Sequence, residues 1–373
     1  TPPRNRRQRQ MCIRDSPGGV VTITADTGAG SLRECINFAN SNPGTTISFD
    51  IPSADPGYQS AGGENWWRIS PSSQLPAILT DDTIIDGTTQ TVNQGDTNSQ
   101  GPEIELEGSG LGGFGLAISS SNNTVKGLVV NRFNPIGIYI AGSGTNLIEG
   151  NYIGTDVTGL VDLGNLTAIL ISGSSNNTIG GSTPASRNII AGSTNYGIET
   201  SGLGSTGNVI QGNYIGTDRT GTASIPNNYG IVLGGGGSGT IGGTLPGQRN
   251  IISGNTTLGI SILSNSAGNQ ILGNYIGTDV NGNAQLPNGN TGLYITSSHN
   301  TIGGTTAAHR NVISANTVNG VLLQGGFATG NQVQGNYIGS DVSGLALGNG
   351  QYGLQLSVGA CLLYTSPSPR DAT

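Results

Sequence analysis

Three glutamates in one short segment are the residues best suited to acid–base chemistry. Glu103, Glu105 and Glu107 alternate with Ile104 and Leu106, so their carboxylates share one face of a predicted strand. A glycoside hydrolase needs two carboxylates that face each other across the glycosidic bond, one as acid and one as base or nucleophile. A polysaccharide lyase needs calcium-binding acids and an arginine or lysine that takes the proton beside a uronate carboxylate.

Either reaction would draw on the part of the chain between residues 50 and 132. A solvated strand face explains the alternating glutamates without any chemistry, and the pattern favours that interpretation because acidic side chains are mostly exposed. Lys126 and Glu149 each lie three residues after an asparagine of the repeat, which predicts an ion pair between neighbouring coils. The candidate catalytic residues are Asp86, Glu103, Glu105, Lys126 and Arg132.

Three aromatic residues lie close together in a loop-rich stretch of the same region. Tyr58, Trp66 and Trp67 could stack on sugar rings, because loops on a rigid scaffold often carry function. Packing against the first coils and the N-terminal cap is the alternative, and the sequence leaves both interpretations open.

Four aspartates recur in the motif Asp-x-[Thr/Asn/Ser]-Gly and are the candidate metal ligands. Stacked on alternate coils, their carboxylates could hold calcium, which takes several oxygen ligands. A type I turn explains the same motif, since Asp at its first and Gly at its fourth position are preferred. The turn is the favoured interpretation, so no cofactor is expected and calcium stays open as an alternative. The four residues are Asp156, Asp218, Asp279 and Asp341.

A repeat of 61 or 62 residues positions most of these groups. The segment Gly150-Asn-Tyr-Ile-Gly-Thr-Asp156 returns three times at that spacing, and a fixed period of this size indicates stacked coils. Arg187, Arg249 and Arg310 keep the same period and are predicted to contact the aspartate loops or loop carbonyls. A further asparagine stands two residues before an isoleucine in each coil and is predicted to form a hydrogen-bonded ladder in left-handed turn geometry. The ladder residues are Asn151, Asn188, Asn213, Asn250, Asn274, Asn311 and Asn336.

The beginning of the chain departs from the repeat and predicts a helix. Leu32, Cys35, Ile36 and Ala39 fall at the spacing of a short amphipathic helix, and Ser31 with Glu34 fits a capping box. Because a stack of coils has an open apolar end, this helix is predicted to cap it.

The composition indicates a turn-rich β protein with an acidic surface. Glycine contributes 65 of the 373 residues, and 9% are charged. The net charge is −7 even though Thr1 to Ser16 carries five arginines, so nucleic acid is not an expected partner. No apolar run approaches the ~18 residues of a membrane helix. The three cysteines and two histidines lack the spacing of a disulfide framework or a zinc site.

The strand and turn motifs resemble those of a known family. The Gly-Ile-x-Ile strands, the Asn-x-Ile-x-Gly-Asn-x-Ile-x-Gly turns and the leading Asp26-Thr-Gly-Ala-Gly-Ser-Leu-Arg33 are similar to bacterial right-handed parallel β-helix repeat proteins of the pectin-lyase-like superfamily. The resemblance covers about residues 20 to 358. It implies an all-β fold, a single-stranded right-handed parallel β-helix (solenoid) with a short N-terminal helical cap. It implies no one activity, because the superfamily includes lyases, hydrolases, adhesins and non-catalytic spacers.

The chain is expected to divide into five segments. Residues 1–16 and 359–373 are predicted to be non-native tails, because MCIRDS and CLLYTSPSPRD resemble translated sequencing-adapter read-through at the ends of metagenomic reading frames. Between them we expect a cap at 17–52, irregular first coils with a loop insertion at 53–136, and regular repeats at 137–358.

Repetition of nearly every polar feature favours a scaffold over an enzyme. The expected function is a secreted or cell-surface bacterial scaffold or adhesin that binds polysaccharide or host glycans, without membrane insertion. The alternative is a polysaccharide lyase or glycoside hydrolase that uses the acids of residues 50–132. We expect a monomer unless an uncapped C-terminal end associates.

Overall fold

The protein is a right-handed parallel β-helix, in which three sheets run along the molecule and the chain passes through them in turn. The computed structural model describes residues 18–365, and the side chains of residues 18–361. The tail expected at residues 1–16 lies outside the described residues, and the one expected at 359–373 is described as far as residue 365. None of the helices in this part of the chain is long and apolar enough to cross a membrane.

Each sheet takes one strand from each successive coil. Sheet 1 contains β1 (Val20–Val21), β2 (Thr46–Phe49), β5 (Ile84–Asp86), β8 (Thr124–Lys126), β11 (Leu147–Glu149), β14 (Thr178–Gly180), β17 (Val209–Gln211), β20 (Thr240–Gly242), β23 (Gln270–Leu272), β26 (Thr301–Gly303), β29 (Asn331–Gln334) and β32 (Leu362–Thr365). Sheet 2 contains β3 (Tyr58–Ala61), β4 (Glu64–Ile69), β6 (Ile104–Glu107), β9 (Leu128–Asn131), β12 (Tyr152–Ile153), β15 (Ile189–Ile190), β18 (Tyr214–Ile215), β21 (Ile251–Ile252), β24 (Tyr275–Ile276), β27 (Val312–Ile313) and β30 (Tyr337–Ile338). Sheet 3 contains β7 (Gly112–Ile118), β10 (Asn134–Ala141), β13 (Thr167–Ser172), β16 (Tyr196–Ser201), β19 (Tyr229–Leu233), β22 (Leu258–Ile262), β25 (Leu293–Ile295), β28 (Asn319–Gln324) and β31 (Tyr352–Ser357).

Columns of isoleucine hold the coils in register. In sheet 1, Ile148 lies opposite Ile179, which in turn lies opposite Ile210, and all three are almost fully buried. Sheet 2 stacks Ile153 and Ile190 in the same way. Neighbouring parallel strands lie ~4.8 Å apart, so one apolar core runs through the stack. Burial of each such side chain stabilises the fold by roughly 1.5–3 kcal/mol.

The N-terminal helix forms where the sequence predicts it. Helix α1 (Leu32–Ala39) begins after Ser31, whose hydroxyl accepts a hydrogen bond from the backbone N–H of Glu34 at 3.3 Å. Its buried residues are the four of the predicted apolar stripe, and they join the same core cluster as Val21 and Ile47 at the first coil. The helix therefore packs on the first strands of the stack.

The first coils are more ordered than the predicted loop insertion. Strands β3 and β4 form an antiparallel hairpin, and β4 pairs in parallel with β6, so the hairpin belongs to sheet 2. A second helix, α2 (Thr88–Gln94), was not predicted. It is held by the buried side chain of Gln90, which bonds both the N–H and the carbonyl of Ile51, at 2.9 and 2.8 Å. This region closes over the acidic strand β6.

The predicted asparagine ladder is present between sheets 1 and 2. Asn151 donates from its backbone N–H and its amide to Oδ1 of Asn188, at 2.9 and 3.1 Å, and the same pair of bonds recurs at each step to Asn336. The predicted left-handed conformation is wrong for the asparagines themselves. In alternate coils the preceding glycine takes it, with φ of 65° at Gly150 and 72° at Gly212, because a residue without Cβ adopts positive φ without strain. In the other coils an arginine with negative φ precedes the asparagine, as Arg187 does with φ of −71°.

Two further asparagine columns line the other turns. One joins Asn123, Asn146, Asn177 and Asn208 before sheet 1 and resumes at Asn269. Gly239 interrupts it, and a cavity of about 10 Å³ lies beside that position. The other column, between sheets 2 and 3, was not predicted and consists of Asn227, Asn255, Asn288, Asn316 and Asn349.

Candidate functional site

The acidic strand predicted to be solvated is buried, so that interpretation is wrong. The exposed fractions of Glu103, Glu105 and Glu107 are 2%, 1% and 8%. The alternation of acidic and apolar residues does not show whether the acidic side of a strand contacts solvent or other parts of the protein. Here hairpin β3–β4 and the segment after α2 cover that side. A buried carboxylate needs several donors, and each of these three has them.

Glu103 and Glu105 bind groups of the covering layer. Glu103 accepts hydrogen bonds from the backbone N–H and hydroxyl of Thr97, and from the hydroxyl of Thr91 at 3.1 Å. Glu105 accepts from Trp66 Nε1 at 2.7 Å and pairs with Arg68 Nε at 2.7 Å, while its other oxygen accepts from the Asn131 amide at 2.9 Å. Both carboxylates are thus engaged within the fold.

Glu107 and Arg132 form an ion pair beside these two residues. Arg132 Nη1 lies 3.3 Å from Glu107 Oε1. Burial raises the pKa of Glu107, but hydrogen bonds from Ser109 and Ser70 and the bond from Arg132 outweigh it and leave the pKa below its ordinary value. Glu107 is therefore an ionised structural carboxylate, and Arg132 neutralises it.

Lys126 pairs with a different carboxylate from the one predicted. Asp86, Lys126 and Glu149 occupy equivalent positions in three successive strands of sheet 1. The ion pair joins Lys126 Nζ to Asp86 Oδ2 at 3.0 Å, on the preceding coil, so the predicted pair with Glu149 is wrong. Asp86 also accepts from Thr88 at the start of α2, at 3.1 Å to its backbone N–H. Asp86 thus connects sheet 1 to α2 through this hydrogen bond.

The aromatic residues of the first coils pack inward. Trp67 is 1% exposed, donates to the carbonyl of Pro52 at 3.1 Å and meets Tyr58 edge-on with ring centroids 5.1 Å apart. Trp66 is 9% exposed and is fixed by Glu105. Of the two open interpretations, the structure therefore shows packing, because neither indole presents a free face to a sugar.

The four repeated aspartates each close the turn in which they stand. Asp156 Oδ1 accepts from the N–H groups of Leu160 and Val161, both at 3.1 Å, and Gly159 N–H bonds to the Asp156 carbonyl. The other three loops repeat the last bond, from Gly221 to Asp218, from Gly282 to Asp279 and from Gly344 to Asp341. Within residues 18–361 no three His, Cys, Asp or Glu side chains gather as a metal would require.

These loops and the repeated arginines cover the outer side of sheet 2. The loops contact one another, since Arg219 N–H bonds to the Gly159 carbonyl and Val280 N–H to that of Gly221. Between the loops, the guanidinium groups of Arg187, Arg249 and Arg310 lie 4.2, 4.1 and 4.4 Å from the ring centres of Tyr214, Tyr275 and Tyr337. Each arginine also donates a hydrogen bond to a loop carbonyl, which is one of the two contacts predicted from the sequence. The outer side of sheet 2 is therefore covered along these coils.

The outer side of sheet 3, which we call the open face, carries half-buried aromatic and aliphatic side chains such as Tyr139, Leu170 and Tyr294, whereas Val232 and Ser261 in the middle of the face are buried. Tyr196 and Tyr229 lie on neighbouring strands with ring centroids 5.6 Å apart, and Phe114 and Tyr139 form a second close pair at 4.6 Å. One register column follows the stack from coil to coil. That column reads Tyr139, Leu170, Glu199, Val232, Ser261, Tyr294 and Leu322.

Glu199 is the residue of this face that the sequence analysis missed. It is the one charged residue in the nine strands of sheet 3, and it lies between Leu170 and Val232. Burial raises the pKa of its carboxyl group. The sequence does contain a signal for it, because every other strand of sheet 3 has an uncharged residue at the position that Glu199 occupies in the Gly-Ile-Glu of β16.

Comparison with known proteins finds similar solved structures at low sequence identity. No protein-family model matches the sequence, and no curated protein sequence matches it. The chain is similar to the A-module of mannuronan C-5 epimerase AlgE6 of Azotobacter vinelandii, with 14% identity, 93% of this chain and 98% of that chain covered, and a TM-score of 0.48. It is also similar to the periplasmic alginate epimerase AlgG, with 14% identity, 87% and 67% covered, and a TM-score of 0.37.

Proposed function

We propose that the protein is a glycan-binding scaffold and that an extended polysaccharide lies along its open face. The observation that carries this proposal is the band of half-buried tyrosine and aliphatic side chains on sheet 3. Tyrosine offers a rigid surface that is apolar over its ring and polar at its hydroxyl, which suits the apolar faces and hydroxyl groups of sugar rings.

The other two faces support the choice by contrast. Sheet 2 lies beneath loops and arginines, as described above. On the outer side of sheet 1, Thr124, Thr178, Thr240 and Thr301 alternate with Leu147, Val209 and Gln270, and this column holds no aromatic residue between Thr124 and Thr301. A face whose groups recur from coil to coil matches a partner whose groups also recur, and a polysaccharide is such a partner.

Binding is a better account than cleavage by the first coils. Glu103, Glu105, Glu107 and Asp86 are each held by donors of the fold, and Lys126 and Arg132 neutralise two of them. A lyase or hydrolase built on these residues would have to break those contacts before any sugar reached the carboxylates. The proposed setting is outside the cell, as a secreted or surface-attached stalk or adhesin.

Retention on insoluble polysaccharides tests the proposal. Cellulose, chitin, mannan and calcium pectate would be incubated with the wild type and with a Tyr196→Ala/Tyr229→Ala variant, and bound protein would be measured. We expect at least one polymer to retain the wild type and the variant to bind it about tenfold more weakly, because two stacking surfaces of about 0.5–1.5 kcal/mol each are lost.

A matched control is available on sheet 1. Thr178 and Gln211 are half-buried on the outer side of that sheet, so a Thr178→Ala/Gln211→Ala variant should bind like the wild type. Circular dichroism would verify that both variants keep the β fold. The proposal fails if no polymer retains the wild type, or if the tyrosine variant binds as tightly as the control. Release of reducing ends in the same incubations would instead favour an enzyme.

A further inference from the structure

Glu199 has an unusual environment for a charged side chain. It lies in β16, half-buried, with Leu170 and Val232 at the equivalent positions of the flanking strands. Among the described residues it has no hydrogen-bond or ion-pair partner. Desolvation without a partner disfavours an ionised carboxylate, so the fold gains no stability from its charge.

The cations of the described part of the chain lie away from this residue. Arg33, Arg68, Lys126 and Arg132 are paired with carboxylates of the first coils. Arg187, Arg249 and Arg310 lie over tyrosines of sheet 2, and Arg219 donates to Gln100. A ligand on the open face therefore meets one negative charge and no positive charge from sheet 3.

We propose that the open face selects a glycan with free amino groups, a polymer of glucosamine type, and that Glu199 pairs with one of its ammonium groups. Tyr196 and Tyr229 lie on the same strand and on the next one, so they can contact rings beside the charged unit. This inference rests on the proposed function, because it names the class of glycan that the same face takes.

Charge complementarity separates this class from the acidic polysaccharides. A uronate chain would place its carboxylates near Glu199 on a protein of net charge −7, and the strands of sheet 3 supply no arginine or lysine to receive them. An ammonium group of the glycan would instead supply the ion-pair partner that the half-buried carboxylate of Glu199 lacks. Hydrogen bonds to charged groups are stronger than those between neutral groups, and like charges at a binding face oppose association.

Calorimetry with two matched oligosaccharides tests the inference. The probes are a glucosamine hexamer and the fully N-acetylated hexamer, which differ in charge and share their backbone. The variant is Glu199→Gln, which keeps the shape of the side chain, and the control is Glu34→Gln, because Glu34 is an exposed glutamate on α1. The titrations are run at a mildly acidic pH, because the sugar amines are protonated there.

We expect the wild type to bind the glucosamine hexamer about tenfold more tightly than the N-acetylated one, and Glu199→Gln to remove that preference. Glu34→Gln should behave like the wild type, and added salt should weaken only the glucosamine complex. The inference is overturned if the two hexamers bind the wild type equally, or if Glu199→Gln keeps the preference. If either of these results is found while a neutral polymer still binds through Tyr196 and Tyr229, the inference fails and the proposed function stands. Failure of every glycan to bind overturns the proposed function as well.

Discussion

At the scale of single residues, hydrogen bonding distinguishes the carboxylates of the first coils from that of Glu199. Glu103, Glu105 and Glu107 are buried with several donors each, whereas Glu199 is half-buried with none. A carboxylate that stabilises a fold is expected to have partners within it. Glu199 lacks them, and for that reason it carries the ligand inference.

The first prediction concerns the effect of Glu199 on stability. Burial raises its folded-state pKa above the ordinary value of 4.5, so ionisation is less favourable in the folded than in the unfolded chain. The resulting destabilisation is complete above the folded-state pKa and absent below 4.5. Glu199→Gln should therefore melt at a higher temperature than the wild type at pH 7, and the difference should vanish as the pH falls below that value. A lower melting temperature of the variant at neutral pH would contradict this account.

The second prediction concerns the asparagine ladder. Asn188 accepts two hydrogen bonds from Asn151 and donates two more, to the Ile148 carbonyl and to Asn213. Asn188→Ala would leave these buried groups unpaired at ~1–3 kcal/mol each, so we expect a loss of roughly 3 kcal/mol or more in unfolding free energy. Thermal and urea unfolding would measure it. Asn283→Ala is the control, since Asn283 is exposed, and it should change stability by less than ~0.5 kcal/mol. Equal losses in the two variants would show that the ladder contributes little.

At the scale of elements, the repeats were predictable and the interruptions were not. Each Gly-aliphatic-x-aliphatic strand and each Asn-x-Ile turn recurs, and the structure places them in sheets 1, 2 and 3 as the period requires. Hairpin β3–β4 and helix α2 occur once, so no period identifies them. The hairpin buries β6 through contacts between residues 37 to 39 positions apart, such as Arg68 with Glu105 and Trp66 with Glu105. For this reason the sequence predicted a solvated acidic strand.

The third prediction concerns the aspartate loops. Their carboxylates already accept hydrogen bonds from their own turns, and for Asp279 the bonds from Ala284 and Asn281 outweigh burial and hold the pKa below its ordinary value. We therefore expect excess chelator to leave the melting temperature unchanged. A fall in the melting temperature, restored by added calcium, would show that the loops bind the ion and would revive the alternative of the sequence analysis.

At the scale of the whole molecule, the three faces of the stack present different side chains. Sheet 2 is covered by loops and by arginines over tyrosines, sheet 1 presents threonines that alternate with leucine, valine and glutamine, and sheet 3 presents the open face. One isoleucine core fixes all three to a common register. We therefore expect a glycan to bind at one location, on sheet 3 and not on the acidic first coils.

Hydroxyl-radical footprinting with mass spectrometry measures that location most directly. The protein would be labelled alone and with a saturating polysaccharide that retains it, and protection would be compared among tyrosines. We predict protection of Tyr196, Tyr229 and Tyr294 on the open face, with Tyr152 and Tyr337 of sheet 2 unchanged as internal controls. Protection of Tyr58, or of the sheet 2 tyrosines, with the open face labelled as in the free protein would contradict the account.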